Sequence, residues 1–559
     1  MTDPRMGGRC LVDQFVANGV ERVFCVPGES YLAALDALHD TPAVDLTVAR
    51  HEGGAAMMAE AHGKLTGQPG ICFVTRGPGA TNAASGVHVA QQDATPLIVL
   101  VGQVARRQRD RGAFQDLDIS ALYGGMAKWT AEVDDPHRIP ELFARAVATA
   151  TSGRPGPVAL ALPEDVLTAA TERPDVRATP MQPPVPAPEA MTALRERLAA
   201  AERPIVIAGG PHWSERARAG AEKFAKANDL PLAVAFRRQD AVDNDHPCYA
   251  GELGLAPNPE LAQRVRESDL VLAVGTELGD VTTGGHGLIE SPGPRQTLIH
   301  VHPADACLGR VHQAALALQA DPACFFDAAN ALAPIASPPW AGAAEAAHAA
   351  YRDWIRPLAV PGEVQLGEAL AWLAERLPED AVVTNGAGNY AAFVGRYMRF
   401  RRHGTQLAPT SGSMGYGLPA AIAAKLHAPD RPVIAFAGDG CFQMTAQEMV
   451  AAVQAGASVV VIVVNNRMHG TIRMHQEKHY PGRPVATDLH TPDFAAQARA
   501  QGAHAETVTE TGQFAPAVER ALAADGPTLI EVRTDPEAIT PQRSLSAIRA
   551  AALGQKAGG

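Results

Sequence analysis

FAGDGCFQMTAQEMVAAVQAGASVVVIVVNNRMHG, residues 436–470, reads as one strand–helix–strand unit. An apolar run from Val433 to Ala437 ends at Gly438-Asp439-Gly440. Thr445 and Glu448 stand three apart, the spacing of a capping box, so a helix is expected from there to about Ala455. Gly456 then falls where a left-handed glycine ends a helix. A second run, Val459–Val464, ends at Asn465-Asn466. Short, continuous, β-branched runs joined by a helix are parallel strands covered on both faces. Two such strands side by side carry Asp439 and Asn466 to one edge of the sheet. A carboxylate oxygen, an amide oxygen and nearby glycines suit Mg²⁺ held by few protein ligands beside a phosphate-bearing molecule. A helix beginning after Gly440 would turn its N–H groups toward those phosphates.

The same grammar runs through the rest of the chain. Strands are expected at Val23–Val26, Ile71–Thr75, Leu97–Val101 and Val158–Leu162, and again at Pro204–Ala208 and Leu270–Val274. Two Pro-rich stretches, TERPDVRATPMQPPVPAPEA (171–190) and PIASPPWAG (334–342), read as spacers between domains. The fold class is therefore α/β: three doubly wound domains with parallel central sheets, over residues 1–175, 190–335 and 360–540. In open sheets of this kind ligands bind at the carboxyl ends of the strands, where the Gly-rich turns fall.

Composition narrows the function. The 559 residues are 46% hydrophobic and 19% charged, which provides several cores and excludes a disordered or fibrous chain. A net charge of −12 speaks against nucleic acid or a membrane surface as partner. The short cluster Arg106, Arg107, Arg109 and Arg111 is broken by Asp110 and reads as a solvated loop. Seven cysteines without a CxxC pair fit neither a disulfide framework nor a zinc ribbon. No apolar leader opens the chain, and its longest apolar run falls far short of the ~20 residues that span a bilayer, so a cytoplasmic protein is expected.

GDG, then 24 residues (441–464), then NN resembles the thiamine-diphosphate fingerprint of the acetolactate synthase/pyruvate decarboxylase superfamily. The resemblance implies thiamine diphosphate with Mg²⁺, the metal on Asp439, the Asn466 side chain and the Met468 carbonyl. It also implies Gly438, Gly440, Cys441, His469 and Gly470 around the cofactor. NGAGNY (385–390) stands where that family contacts diphosphate, which adds Gly388 and Asn389. TSGSMGYGLPAAIAAK (410–425) resembles the segment whose Gly412 carbonyl holds the 4′-amino group, with Met414 the wedge under a bent cofactor. In the first block, ARHEGGAAMMAEAHGKLTG (49–67) resembles the catalytic-glutamate segment and implies that role for Glu52. FVTRGPGATNAASGVHVAQQDATPLIVLVGQ (73–103) resembles the lining of the pyrimidine and substrate side, with Pro78 and Asn82, preceded by Gly28. GAFQDLD (112–118) resembles the Phe-Gln loop: Phe114 an apolar wall, Gln115 a polar contact to substrate. The three domains would then be pyrimidine-binding, central and diphosphate-binding.

The chemistry explains the residue types. A carboxyl at Glu52, hydrogen-bonded to the pyrimidine ring, would favour the tautomer that takes the thiazolium C2 proton, and its neighbours Gly53, Gly54, Ala55 and Ala56 should strip water from it. The expected enzyme is an acetolactate-synthase-like 2-oxoacid decarboxylase and carboligase. It would form a C2 carbanion and enamine and pass it to a carbonyl acceptor or a proton. In the superfamily the cofactor lies between the first block of one subunit and the third of another. A homodimer or homotetramer with Glu52 acting in trans is thus implied.

Several positions depart from the pattern. Val281, in VGTELGDVTTGG (274–285), stands where acetolactate synthases carry an Arg for the second oxoacid, and His475 stands where they carry a Trp. Arg76 replaces their small residue. AFRRQD (235–240) and LGLAPN (253–258) match the FAD-contacting segments poorly, and IVIAGGPHW (205–213) lacks GxGxxG, which leaves FAD doubtful. The His-His pair of pyruvate decarboxylases is missing from RDRGAFQ (109–115). His475 and His479, four apart, read as helix-surface or lid residues along with His469. Two alternatives stand beside the main reading. One is a 2-hydroxyacyl-CoA or aldehyde lyase whose Arg106–Arg111 cluster meets acidic groups; the other is a thiamine-diphosphate-binding regulatory protein without turnover.

Overall fold

A computed structural model describes residues 4–557. Three six-stranded sheets, each wholly parallel, form in turn along the chain, with helices on both faces. The expected strands are all present, with ends that differ by a residue or two, as at Arg22–Cys25 and Val460–Asn465. They form because runs such as Val461, Ile462 and Val463 have nowhere to point but into a core. Each is fully buried and contributes roughly 1.5–3 kcal/mol.

The first and third sheets share one topology. The first runs Asp45–Val48, Arg22–Cys25, Gly70–Val74, Leu97–Gln103, Pro157–Pro163, Trp129–Glu132. The third runs Gln406–Leu407, Val382–Asn385, Val433–Gly438, Val460–Asn465, Thr528–Arg533, His504–Val508. In both, the chain leaves the first strand in one direction and returns to the third on its other side. That reversal opens a crevice at the carboxyl ends of strands one and three. The central sheet has the order Tyr249–Glu252, Leu232–Val234, Pro204–Ala208, Leu270–Val274, Thr297–His302, Leu316–Gln319, with its own reversal between the third and fourth of these.

The first and third domains share a hydrophobic core. Helix Glu52–Thr66 lies against helix Gly417–His427, while Gly53 and Gly54 let it approach Ser85 and Glu448, where a Cβ would stand 3.1 and 2.5 Å away. A buried polar network ties the contact. Lys64 bridges Glu60 (3.1 Å) and Asp93; Glu60 accepts from Thr95 and from Tyr416 of the third domain (both 2.6 Å). Asp93 accepts from the Thr410 amide (2.9 Å) and hydroxyl (2.6 Å). Burial alone would push the Asp93 carboxyl up, but Lys64 and Arg238 hold it below its ordinary value of 3.8. Its stabilisation is therefore present above that ordinary value and lost as pH falls through the depressed one. Asp93→Asn is expected to destabilise the protein by about 1.5–3 kcal/mol at neutral pH, because the buried Lys64 keeps only Glu60 of its two carboxylate partners. Thermal melts should show a clear drop at pH 7 that narrows in acid, where the wild type has lost the same charge.

One local expectation fails. Thr445 and Glu448 form no capping box. The Thr445 hydroxyl donates to the Gly415 carbonyl (2.7 Å), while the Glu448 carboxylate accepts from the Arg50 amide (3.1 and 3.2 Å) across the domain contact. Both side chains serve long-range partners, and the helix they were to open is only Glu448–Gln454. Glu448 is fully buried, and burial pushes its carboxyl up to about 7, partly offset by the Arg50 and His51 amides. The helix expected after Gly440 instead begins at Asp439 and ends at Gln443. Gly456 has φ +65°, as the helix-ending glycine requires. Among the described residues no helix is long and apolar enough to cross a membrane.

Candidate active site

The third sheet brings the metal-type ligands together. Gly438 pairs with Val464 across adjacent parallel strands, so the next residues of each leave the sheet at the same edge. Asp439 is 3% exposed; its Oδ1 accepts from the Gly440 amide (2.8 Å) and its Oδ2 from the Met468 amide (3.2 Å). The same Met468 amide reaches Asn466 Oδ1 (3.3 Å). Burial raises the Asp439 carboxyl above its ordinary range despite the bonds from Gly440, Arg467 and Met468. A buried carboxylate beside an amide oxygen, short of positive charge, is the donor set of a hard cation.

Around this edge opens a cavity of about 700 Å³ between the third domain and the central one. It is lined by every cofactor residue expected from the third block: Gly388, Asn389, Gly412, Met414, Gly438, Asp439, Gly440, Cys441, Asn466, Met468, His469 and Gly470. The floor is backbone at close quarters. A Cβ on Gly386 would lie 2.6 Å from Cys441 Sγ, and one on Gly440 would lie 2.8 Å from the His469 ring. Gly412 adopts φ +68°, a turn that suits glycine, and exposes its backbone to the cavity mouth. Asn389 reaches the wall but spends its amide on structure. It donates to the Ile539 carbonyl (3.0 Å) and accepts from Thr471 (2.8 Å), drawing the C-terminal segment over the site. Val281 and His475 also line the cavity. His475 and His479 stack at 6.2 Å on helix Gly470–His479, and among the described residues no third metal-type ligand joins them.

The first sheet assembles a second cluster by the same topology. Gly28, Glu52, Pro78, Asn82 and Gln115 gather where strands Arg22–Cys25 and Gly70–Val74 end, yet none of them lines the cavity of the third domain. Glu52 opens its helix, whose first turn is capped by His51 Nδ1 accepting from the Gly53 amide (3.0 Å). Its carboxylate accepts from Asn82 Nδ2 (2.9 Å), and Gly79 leaves the space beside it. In the single chain Glu52 is half-buried, so its small neighbours alone do not strip it of water. Arg76 is buried and structural: it donates to the Phe114 carbonyl (3.2 Å) and pairs with Glu29 (3.2 Å), holding the loop that carries Gln115 at φ +63°. Gln115 Oε1 is buried without a partner, and the neighbouring Phe114 is 73% exposed. In the arginine cluster, Arg106 pairs with Asp165 (2.9 Å) and Arg109 with Asp116, so half of its charge is already neutralised.

The central domain supplies residues that sequence reasoning missed. Arg237, 8% exposed, donates to the Gly386 carbonyl (3.1 Å) and to that of Pro409, locking the central domain onto the third; Glu252 stands beside it on the cavity wall. No motif marks either, since their place follows from the domain packing. At the reversal of the central sheet the two turns touch: a Cβ on Gly210 would lie 1.8 Å from the Gly275 carbonyl oxygen. Beyond it Glu277 is held between Arg154 and Arg310.

Comparison with known proteins agrees with this division. Residues 5–122 match the family described as thiamine pyrophosphate enzyme, N-terminal TPP binding domain; residues 191–332 match its central domain and 386–532 its C-terminal TPP binding domain. The chain is 31% identical to the acetolactate synthase isozyme 2 large subunit of Escherichia coli K12, over 95% of each chain. It is 31% identical to the acetolactate synthase large subunit of Parasynechococcus marenigrum WH8102, over 94% of this chain and 87% of that one. It is 34% identical to a protein of Pseudomonas aeruginosa named probable 2-ketoarginine decarboxylase AruI, over 94% of this chain and 93% of that one.

Proposed function

The chain belongs to the thiamine pyrophosphate enzyme family, and from that premise we propose that it is a Mg²⁺-dependent 2-oxoacid decarboxylase and carboligase of acetolactate-synthase type. The observation that carries the reading is the pairing of an Asp439–Asn466 oxygen set with a glycine-floored cavity large enough for both cofactor and substrate. The residues fit the cofactor: Asp439, Asn466 and the Met468 carbonyl would hold Mg²⁺ and, through it, the diphosphate. Gly388, Gly438 and Gly440 line the cavity without side chains. Thiamine diphosphate, when bound, supplies the electron sink that lets a 2-oxoacid lose CO₂. The chain's part is to position and to move protons. Of the cavity-lining residues, Met414 would support the cofactor and the Gly412 carbonyl would accept from its amino group. Glu52, oriented by Asn82, would hold the proton shared with the pyrimidine ring. In the net reaction the bond to the substrate carboxylate breaks, CO₂ leaves, and the freed electron pair ends in a bond to a carbonyl carbon or to a proton.

Glu52 and Asp439 lie in separate clusters of one chain, so the proposed unit is at least a homodimer in which the first domain of one copy faces the third domain of the other. The exposed apolar side chains beside both clusters support this: Phe114 (73%) on the first, Ile472 (55%) and Tyr480 (65%) by the third. A second reading, decarboxylation ended by a proton rather than by carboligation, is favoured by Val281 and His475. Both are cavity-wall residues and both differ from the acetolactate synthase pattern. The likeness to a protein named as a decarboxylase points the same way. The experiment is a proton NMR time course with Mg²⁺, thiamine diphosphate and a panel of 2-oxoacids beginning with pyruvate. Cofactor-dependent loss of oxoacid is expected, and the product (acetolactate, acetoin or free aldehyde) names the acceptor. No loss across the panel overturns the reading.

A further inference from the structure

Glu252 ends the strand Tyr249–Glu252 at the edge of the central sheet and faces the same cavity as Met414, Asp439, Val281 and His475. Within the protein its carboxylate has one hydrogen bond, from the Arg237 amide to Oε1, and among the described residues it forms no ion pair. The guanidinium of that same Arg237 is spent on the Pro409 and Gly386 carbonyls. The cavity's other guanidinium, Arg396, lies 3.8 Å over the Trp354 ring with its Nε on the Trp354 carbonyl (2.8 Å), and forms no bond to Glu252. Gly254 and Gly395 flank Oε2, where a Cβ on either would stand 3.7 and 3.4 Å away, so neither puts a side chain over it. Phe236 and Tyr351 add aromatic lining to the same cavity.

A carboxylate withdrawn from bulk water without a counter-charge is expensive to keep. Burial pushes the Glu252 carboxyl up to about 7, with only partial relief from the Arg237 amide and charge. The fold repays only part of that expense, through Arg237; among the described residues Glu252 makes no ion pair. A ligand cation would offset the rest, through a charge-assisted hydrogen bond to Oε2 backed by aromatic faces.

We propose that Glu252 selects the substrate, by pairing with a guanidinium or ammonium group at the far end of a 2-oxoacid side chain. This rests on the oxoacid chemistry proposed above and assigns the substrate class of that site. Recognition is by a positioned acceptor in a partly dehydrated wall, so an analogue of equal shape without the charge leaves the acid unpaired and is rejected.

The test compares 5-guanidino-2-oxopentanoate with its uncharged isostere 5-ureido-2-oxopentanoate on the protein loaded with Mg²⁺ and thiamine diphosphate. The wild type is expected to favour the guanidino acid in kcat/KM by ~10²-fold or more. Glu252→Gln keeps an oxygen for the Arg237 amide but removes the charge, and should bring that ratio to within a few-fold. Glu252→Asp should keep part of it, which a merely structural role for the residue would not do. Equal use of the two acids by the wild type, or a ratio unchanged in Glu252→Gln, overturns the proposal. Calorimetric binding of unreactive 5-guanidinopentanoate separates this result from a failure of the oxoacid reading. Binding that Glu252→Gln abolishes supports the cation site even without turnover, and no binding by the wild type refutes it.

Discussion

Glu52→Gln is expected to slow both exchange of the cofactor's C2 proton and consumption of oxoacid by ~10²–10⁴-fold, the range of a lost positioned acid–base group. The substitution keeps the shape of the side chain and a partner for Asn82, whose amide now meets Glu52 Oε2 at 2.9 Å. The helix start is capped by His51 rather than by Glu52, so the fold should be untouched. What is lost is a group that can share a proton with the pyrimidine ring. Deuterium exchange of bound thiamine diphosphate, quenched in acid and read by NMR, checks the step without needing the substrate. Exchange as fast in the variant as in the wild type would remove Glu52 from the mechanism and revive the reading of a binder without turnover.

The second large effect comes from the other cluster. Asp439→Asn should weaken Mg²⁺-dependent cofactor binding enough to leave little activity at ordinary cofactor concentrations. It removes the only carboxylate among the proposed ligands, and an amide there would also place a donor against the Gly440 and Met468 amides that its oxygens now accept. Titration of the cofactor with tryptophan fluorescence as the signal measures the loss. The two variants together test the assembly. Each alone is nearly inactive, but co-expressed they should regain about a quarter of wild-type activity. Half of randomly paired dimers are mixed, and each mixed dimer has one of its two sites built from an intact Glu52 and an intact Asp439. Recovery of nothing would mean that both residues act within one chain.

Much of this was legible in the residues themselves. The strand-end turns placed Asp439 and Asn466 at one edge of the sheet, as the structure has them, because period and turn chemistry are local properties; Met468 came from the family resemblance. Gly456 did what a helix-ending glycine does. Thr445 and Glu448 were misread for an equally physical reason: a capping box is a local bond, and both side chains found long-range partners in Gly415 and Arg50. The reading of Glu52 as desolvated by its neighbours also fell short. In one chain Gly53 and Ala56 pack on helix Pro78–Asp93 and Gly54 on Glu448, while the Glu52 carboxylate stays half-buried.

Residue type and spacing along the chain were enough for the three parallel α/β domains and, through the motifs they spell, for the resemblance to the family. Only the tertiary structure decided that the first and third sheets share a strand order, and hence that both clusters sit at a reversal of their sheet. It alone decided that Arg237 and Glu252 of the central domain reach the cavity of the third. Those facts depend on how sheets are ordered and domains packed, and residues hundreds of positions apart meet only when hydrophobic faces are buried against one another.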